Sequence, residues 1–234
     1  MHASTDEWLH YFQTNRARPA LPLPEPITTL EPALHRALVR ALQCFHLGEA
    51  GEGRLGAEIL RVRDPALDAA LREAVVLYVA EEGRHAREVA QLLGALGART
   101  LAGHRSELWF RTLRRSAGHR TKMLTIAAAE VVGVVFYEML ASQLAHVPAV
   151  ARLGSVIGRE EAAHLAMQRS YFERVTSGSR AKRLAIDVAF GAIVSAGVAT
   201  LAFDHRDLFR ALGVTRGDFA MRCAEIARTF TSAA

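Results

Sequence analysis

The sequence predicts an all-α protein, and three observations carry that expectation. Ala, Leu, Arg and Glu recur at helical spacing along nearly the whole chain. Alternating runs of Val, Ile, Thr and Tyr bounded by Asn-Gly or Asp-Gly, the mark of hairpins, do not occur. The breaks at Asp64-Pro65, Gly97, Pro148 and Ser177-Gly178 cut the chain into segments of helical length.

Taken in order, the elements are as follows. Five of the seven prolines lie between positions 19 and 32, so residues 1–30 are expected to form an extended lead-in. One helix is predicted from about residue 31 to 63 and a second from about 66 to 96. A long connection follows over 97–118, then helices to about 146 and from Pro148 to about 177. Residues 31–178 thus read as a four-helix bundle of two hairpins joined by one long crossover. Residues 179–234 add a very apolar helix over 180–203 and a short amphipathic end, both expected to pack on the bundle.

Composition sets the outer limits. With 234 residues, 50% of them apolar and 23% charged, the chain is long enough to bury its own core. That composition excludes disordered, collagenous and low-complexity classes. Cys44 and Cys223 lie far apart with no Cys-x-x-Cys, which excludes a thiolate zinc site or a rubredoxin-type iron centre and fits a reducing compartment. The first residues carry no continuous apolar run of the secretory kind, so a cytoplasmic location is expected.

The chemistry sits where charge should not. In the helix predicted over 66–96, Leu71, Val75, Tyr78, Val89, Leu93 and Leu96 define one face, and Glu82 and His85 fall inside it. Projection places Glu49 on the apolar stripe of the first helix, Glu130 on that of the third, and Glu161 with His164 on that of the fourth. Burying four uncompensated anions costs several kcal/mol each, so either the carboxylates are protonated or cations lie between them. Two divalent ions balance four carboxylates. Glu-x-x-His sets both donors on adjacent turns of one helix, about 5 to 6 Å apart at Cβ. Carboxylate oxygens with one imidazole per ion suit iron or manganese.

The motif alone is weak: 17 glutamates and 10 histidines give about 0.7 chance matches in such a chain, by simple pattern counting. A third match, Glu7 with His10, lies before the prolines and reads as chance. Repetition carries more weight, because a seam glutamate precedes each inner motif by 33 residues (Glu49 to Glu82) and 31 residues (Glu130 to Glu161). Glu52 stands as the alternative to Glu49. Glu49 projects within about 20° of the stripe centre and Glu52 about 40° to the other side, by the ideal repeat.

Residues 38–168 resemble the ferritin-like diiron-carboxylate superfamily. HLGEAGEGRL, residues 46–55, is similar to the His-x-Gly-Glu-x-Gly-x-x-Arg string of demethoxyubiquinone hydroxylases, and Glu130 followed seven residues later by Tyr137 resembles a second of their helices. Glu81-Glu82-Gly-Arg84-His85 and Glu160-Glu161-Ala-Ala-His164 are similar to the paired motifs of bacterial multicomponent monooxygenases. Phe136 stands where the quinone hydroxylases carry His, and Ile157 where arylamine N-oxygenases carry an additional His. The resemblance implies two iron ions, or a manganese-iron pair, with Glu82 and Glu161 bridging. Glu49 with His85 and Glu130 with His164 would be terminal ligands. It further implies O₂ and a small organic substrate as reactants, and a homodimer; with no rubredoxin segment or flavin motif in the sequence, electrons are expected from an external donor or from the substrate. Iron oxidation or storage, or a manganese-iron site, without an organic substrate is the alternative, and a metal-free bundle whose carboxylates pair with arginines is a third.

The remaining features read more plainly. Glu81 and Glu160 are placed to orient the histidines through their outer ring N–H. Tyr137 is a candidate to stand behind the ligands, although it and Tyr78 otherwise read as core tyrosines; Cys44 reads as a buried small side chain and Glu138 as a solvated one. Arg105, Arg111, Arg114, Arg115, Arg120 and Lys122 form a basic crossover against Glu107 alone, fit for an anionic substrate or an acidic carrier, with no nucleic-acid motif beside it. Leu184 to Phe203 has one charge, Asp187, in twenty residues, long enough to span a bilayer. Ten of those twenty are Ala, Gly, Ser or Thr, which favours packing on the bundle over lipid.

Overall fold

A computed structural model of the chain describes residues 4–50, 53–102 and 118–231, with backbone alone at 53 and 54. Among the described residues every regular element is a helix, as the sequence predicts: α1 Thr5–Arg16, α2 Pro32–Glu49, α3 Gly53–Ile59, α4 Ala69–Ala95, α5 His119–Gln143, α6 Pro148–Thr176, α7 Arg180–Asp204, α8 Arg206–Leu212 and α9 Arg216–Thr231. Most of the crossover, with Arg105, Glu107, Arg111, Arg114 and Arg115, lies outside the described residues, as does Glu52.

Two expectations are corrected. The lead-in is extended only beyond Ala17, because residues 5–16 are helical. Ser4 and Glu7 close a capping box at the start of α1, which drives Phe12 into the core. The proline-rich stretch then runs along α4, held by Leu21 N–H to Glu88 and by Ile27 N–H to the Ala95 carbonyl. Second, the helix expected over 31–63 stops at Glu49 and resumes as α3 from Gly53. Gly48, in the last turn of α2, lowers helix propensity by about 1 kcal/mol relative to Ala.

The core lies between two hairpins. α4 packs on α1, α2 and α3, and α5 packs along α6, with α4 touching α6 across the middle. Asp68 caps α4 by accepting from Leu71 N–H at 2.9 Å, and Pro148 opens α6 with a φ already helical. α5 and α6 approach closely because Gly154 faces them: a Cβ there would lie 2.6 Å from the Tyr137 carbonyl oxygen. Asp64, before α4, pins the start of α5 and the C-terminal part of α6 by accepting from His119, from Nε and one terminal nitrogen of Arg120, and from the Tyr171 hydroxyl. Those bonds hold its carboxyl far below the usual range against the opposing effect of burial.

The C-terminal helices pack less completely than expected. α5 and α7 are both long and apolar enough to cross a membrane, yet 89% of the most apolar stretch of α5 is buried and only 17% of that of α7. Phe190, Val194 and Gly197 bury one face of α7, with Phe190 stacked on Phe230 of α9 at 4.0 Å. Leu184, Val188 and Phe203 stay exposed.

Candidate metal centre

Four helices deliver six side chains to one place. Glu49 is the last residue of α2; Glu82 and His85 sit in the middle of α4, Glu130 in α5, and Glu161 with His164 in α6. They fall into two groups, Glu49, Glu82, His85 and Glu161 in one and Glu82, Glu130, Glu161 and His164 in the other, each offering donor atoms within 4.8 Å of one another. Glu82 and Glu161 belong to both. Each of the other four belongs to only one of these two groups, although His85 also gathers with Glu81 and Glu160 through its other ring nitrogen.

The distances suit a shared cation. Ligands at right angles on an ion at about 2.1 Å lie about 3 Å apart. Here His85 Nδ1 is 3.1 Å from Glu161 Oε1 and 3.7 Å from Glu49 Oε2, while His164 Nδ1 is 2.8 Å from Glu82 Oε1 and 3.5 Å from Glu161 Oε2. Despite this closeness, both Nδ1 atoms, Glu82 Oε1 and Glu161 Oε1 are buried without a well-formed hydrogen bond. Buried nitrogen and oxygen atoms this close, without hydrogen bonds of good geometry, are arranged as the donors around a cation would be.

The outer ring nitrogens are used differently. His85 Nε2 lies 2.7 Å from Glu160 and His164 Nε2 lies 3.3 Å from Glu81, so the acid preceding each motif serves the histidine of the other helix. A carboxylate at Nε2 fixes the proton there and turns Nδ1 inward. Arg84 bridges Glu81 and Glu160, Arg18 bridges Glu160 and Glu88, and Asn15 donates to both Glu81 and Glu160. Phe12 stacks on the His164 ring. The N-terminal segment therefore closes the histidine side of the centre.

Charge inside the centre is unevenly held. Burial, with Glu161 and Glu49 nearby, pushes Glu82 well above the usual carboxylate range. Burial also pushes Glu161 upward, but His164 and His85 outweigh it and hold it at about 2. For His164 burial works downward and is overcome by Glu161 and Glu81, which raise it to about 10; Glu160, Glu161 and Glu49 likewise raise His85. Compensation without a metal thus comes from imidazole protons as well as from a protonated Glu82.

Comparison of the chain with protein families, with curated proteins and with solved structures finds no match.

On the side away from the histidines a cavity of about 170 Å³ reaches Glu49, Glu82, Glu130 and Glu161. Its walls come from α2 (Cys44, Phe45), α5 (Ile126, Gly133) and α7 (Ile193, Gly197, Leu201), with Asp204 and His205 also lining it. Apolar walls around a few convergent polar groups are the usual make-up of a small-molecule site.

Several other sequence readings find their places. Tyr137 donates to Glu49 at 2.7 Å and Tyr78 to Glu130 at 2.8 Å, so both are more than core filling. Glu138 pairs with Arg222 at the surface, Cys44 is half-buried, and Glu7 is occupied in its capping box. Asn15, Arg18, Glu88 and Gln168, which donates to Glu130, were not legible as site residues. Ser4-x-x-Glu7 ahead of Trp8, Leu9, Tyr11 and Phe12 is the signal that exposes α1, and with it Asn15.

Proposed function

We propose that this chain is a ferritin-like, non-haem diiron oxidoreductase that uses O₂ to oxidise a small organic substrate by hydroxylation, desaturation or N-oxygenation. The observation that carries this reading is the pair of donor groups sharing Glu82 and Glu161, open on their carboxylate face to an apolar cavity. When bound, an iron pair would supply the redox chemistry with O₂ that no side chain here supplies. Glu49 with His85, and Glu130 with His164, would hold one ion each from the flanks.

The chain's own groups do the rest. Glu160 and Glu81 keep the imidazole protons on Nε2, and Tyr137 and Tyr78 steady the Glu49 and Glu130 carboxylates. α1 excludes water from the histidine side, so substrate approaches through the cavity bounded by α2, α5 and α7. A void of about 150 Å³ accommodates benzene in a protein core. The 170 Å³ here therefore suits a reacting group about one ring in size. The presence of a substrate-sized apolar cavity favours this reading over iron storage, which needs no such space.

Anaerobic reconstitution with ferrous iron, followed by elemental analysis, tests the proposal. Two ions per chain are expected, lost in Glu82→Ala and in Glu161→Ala. After O₂ is admitted the count should stay at two, with one oxidation event per reduction. Absence of bound metal defeats the reading, and ferric iron building up far beyond two per chain replaces it with storage.

A further inference from the structure

We propose that the outer face of α7 is the contact between two copies of this chain, packed antiparallel about a twofold axis at Ala192. The helix is fixed from behind by Phe190, Val194 and Gly197, so its outer face is a rigid surface. That face is apolar and exposed: Leu184, Val188 and Phe203 are each 65% accessible. A contiguous apolar patch on a fixed helix marks a contact site rather than scattered surface hydrophobes. Two hydroxyls on it, Ser195 and Thr200, donate back to the carbonyls of Gly191 and Ala196, so burying them leaves no donor unmet.

Spacing and charge identify the occupant. Ala185, Ala192 and Ala199 recur every seven residues, with Val188 and Ser195 between them, the repeat by which one helix meets another. An antiparallel second copy sets Ala185 against Ala199, Val188 against Ala196, Phe203 against Ala181, and Ala192 against itself. Large side chains then meet small ones throughout, and the two axes can approach to about 8 Å.

End charges point the same way. α7 carries Arg180, Lys182 and Arg183 in its first turn and ends on Asp204, the reverse of what its own dipole favours. Lys182 and Asp204 have no ion-pair partner among the described residues. Antiparallel pairing brings Lys182 of one copy within two residues of the level of Asp204 of the other, about 3 Å along the axis, and each basic end beside the other's carbonyl end. Parallel pairing would set like charges together. Since Asp204 also lines the cavity, the second copy places a cation at that wall.

The test needs neither metal nor substrate and so stands or falls apart from the proposed activity. Sedimentation of the full chain should give twice the 25.5 kDa chain mass. Ala192→Arg sets like charges on the axis and should weaken association about a hundredfold or more, with unchanged circular dichroism because the site is exposed in one copy. Ala192→Cys should form a disulfide-linked dimer under mild oxidation that the unaltered chain does not form, whereas Ala185→Cys should not, since the antiparallel register brings position 192 alone onto itself and a parallel one would bring both; crosslinking at 185 as well overturns the antiparallel packing. A monomeric parent chain, or a dimer untouched by Ala192→Arg, overturns the proposal. A monomer that floats with anionic vesicles overturns it too and gives the face to lipid.

Discussion

Glu160 stands next to a seam carboxylate on α6 but works for the histidine of α4. Its carboxyl, pushed up by burial, is held at about 2 by His85, Arg84 and Asn15. Replacing it with Gln removes the charge that anchors the His85 proton while keeping size. Metal affinity is expected to fall about 10- to 100-fold, as measured by competition with a chromophoric chelator. Unchanged affinity would show that Arg18 and Asn15 hold only the fold. A second residue-level outcome follows from His164 at about 10 and His85 raised likewise. Binding a cation at Nδ1 displaces a proton, so loading at neutral pH should release at least two protons per chain, one from each imidazole. Calorimetry in buffers of different ionisation enthalpy reads this directly, and buffer-independent heats would refute it.

Among the elements, α5 and α6 matter most, because their closeness sets the distance from Glu130 to Glu161. Gly154 permits it: an added Cβ would lie 2.9 Å from the Ala141 nitrogen and 2.6 Å from the Tyr137 carbonyl oxygen, both backbone atoms that cannot step aside. Gly154→Ala should therefore destabilise the protein by about 1 to 3 kcal/mol through overpacking and lower metal occupancy as the helices part. Gly94 on α4 makes the control, since nothing lies within 4 Å of its added Cβ. There the same change should stabilise by up to about 1 kcal/mol through helix propensity. Thermal melts of the two variants decide it, and equal shifts would mean that the close approach is not rigid.

For the whole molecule, stability should depend on pH in opposite directions on either side of mild acidity. His85 and His164 are raised from 6.5, so their contribution is complete below that value and lost as pH climbs, toward about 10 for His164. Glu82, raised from 4.5, contributes in the same sense. Glu160 and Glu161, lowered from 4.5 to about 2, contribute above 4.5 and lose it as pH falls. Asp64, lowered from 3.8, follows them. Metal-free protein should then be most stable between about pH 5 and 6.5 and weaken on both sides. Bound metal should flatten the alkaline limb, because the ions replace the imidazole protons. Melts with and without chelator that coincide from pH 5 to 9 would contradict this.

What the sequence determined by itself is the helical class and the phase of each site helix. Periodicity places Glu82 three residues before His85 and Glu161 three before His164 on apolar faces, and burial of those faces admits no other orientation. Glu49 and Glu130 were legible for the same reason. Tertiary structure alone decided what contact across distant segments requires. That Glu160 serves His85 and Glu81 serves His164 depends on how two helices face each other, which no single-helix pattern encodes. Prolines obscured α1, because a helix of twelve residues ahead of an extended stretch is held by packing on α4 more than by its own propensity. Composition likewise favoured burial for α7, but only its place at the edge of the bundle decided which face stays exposed.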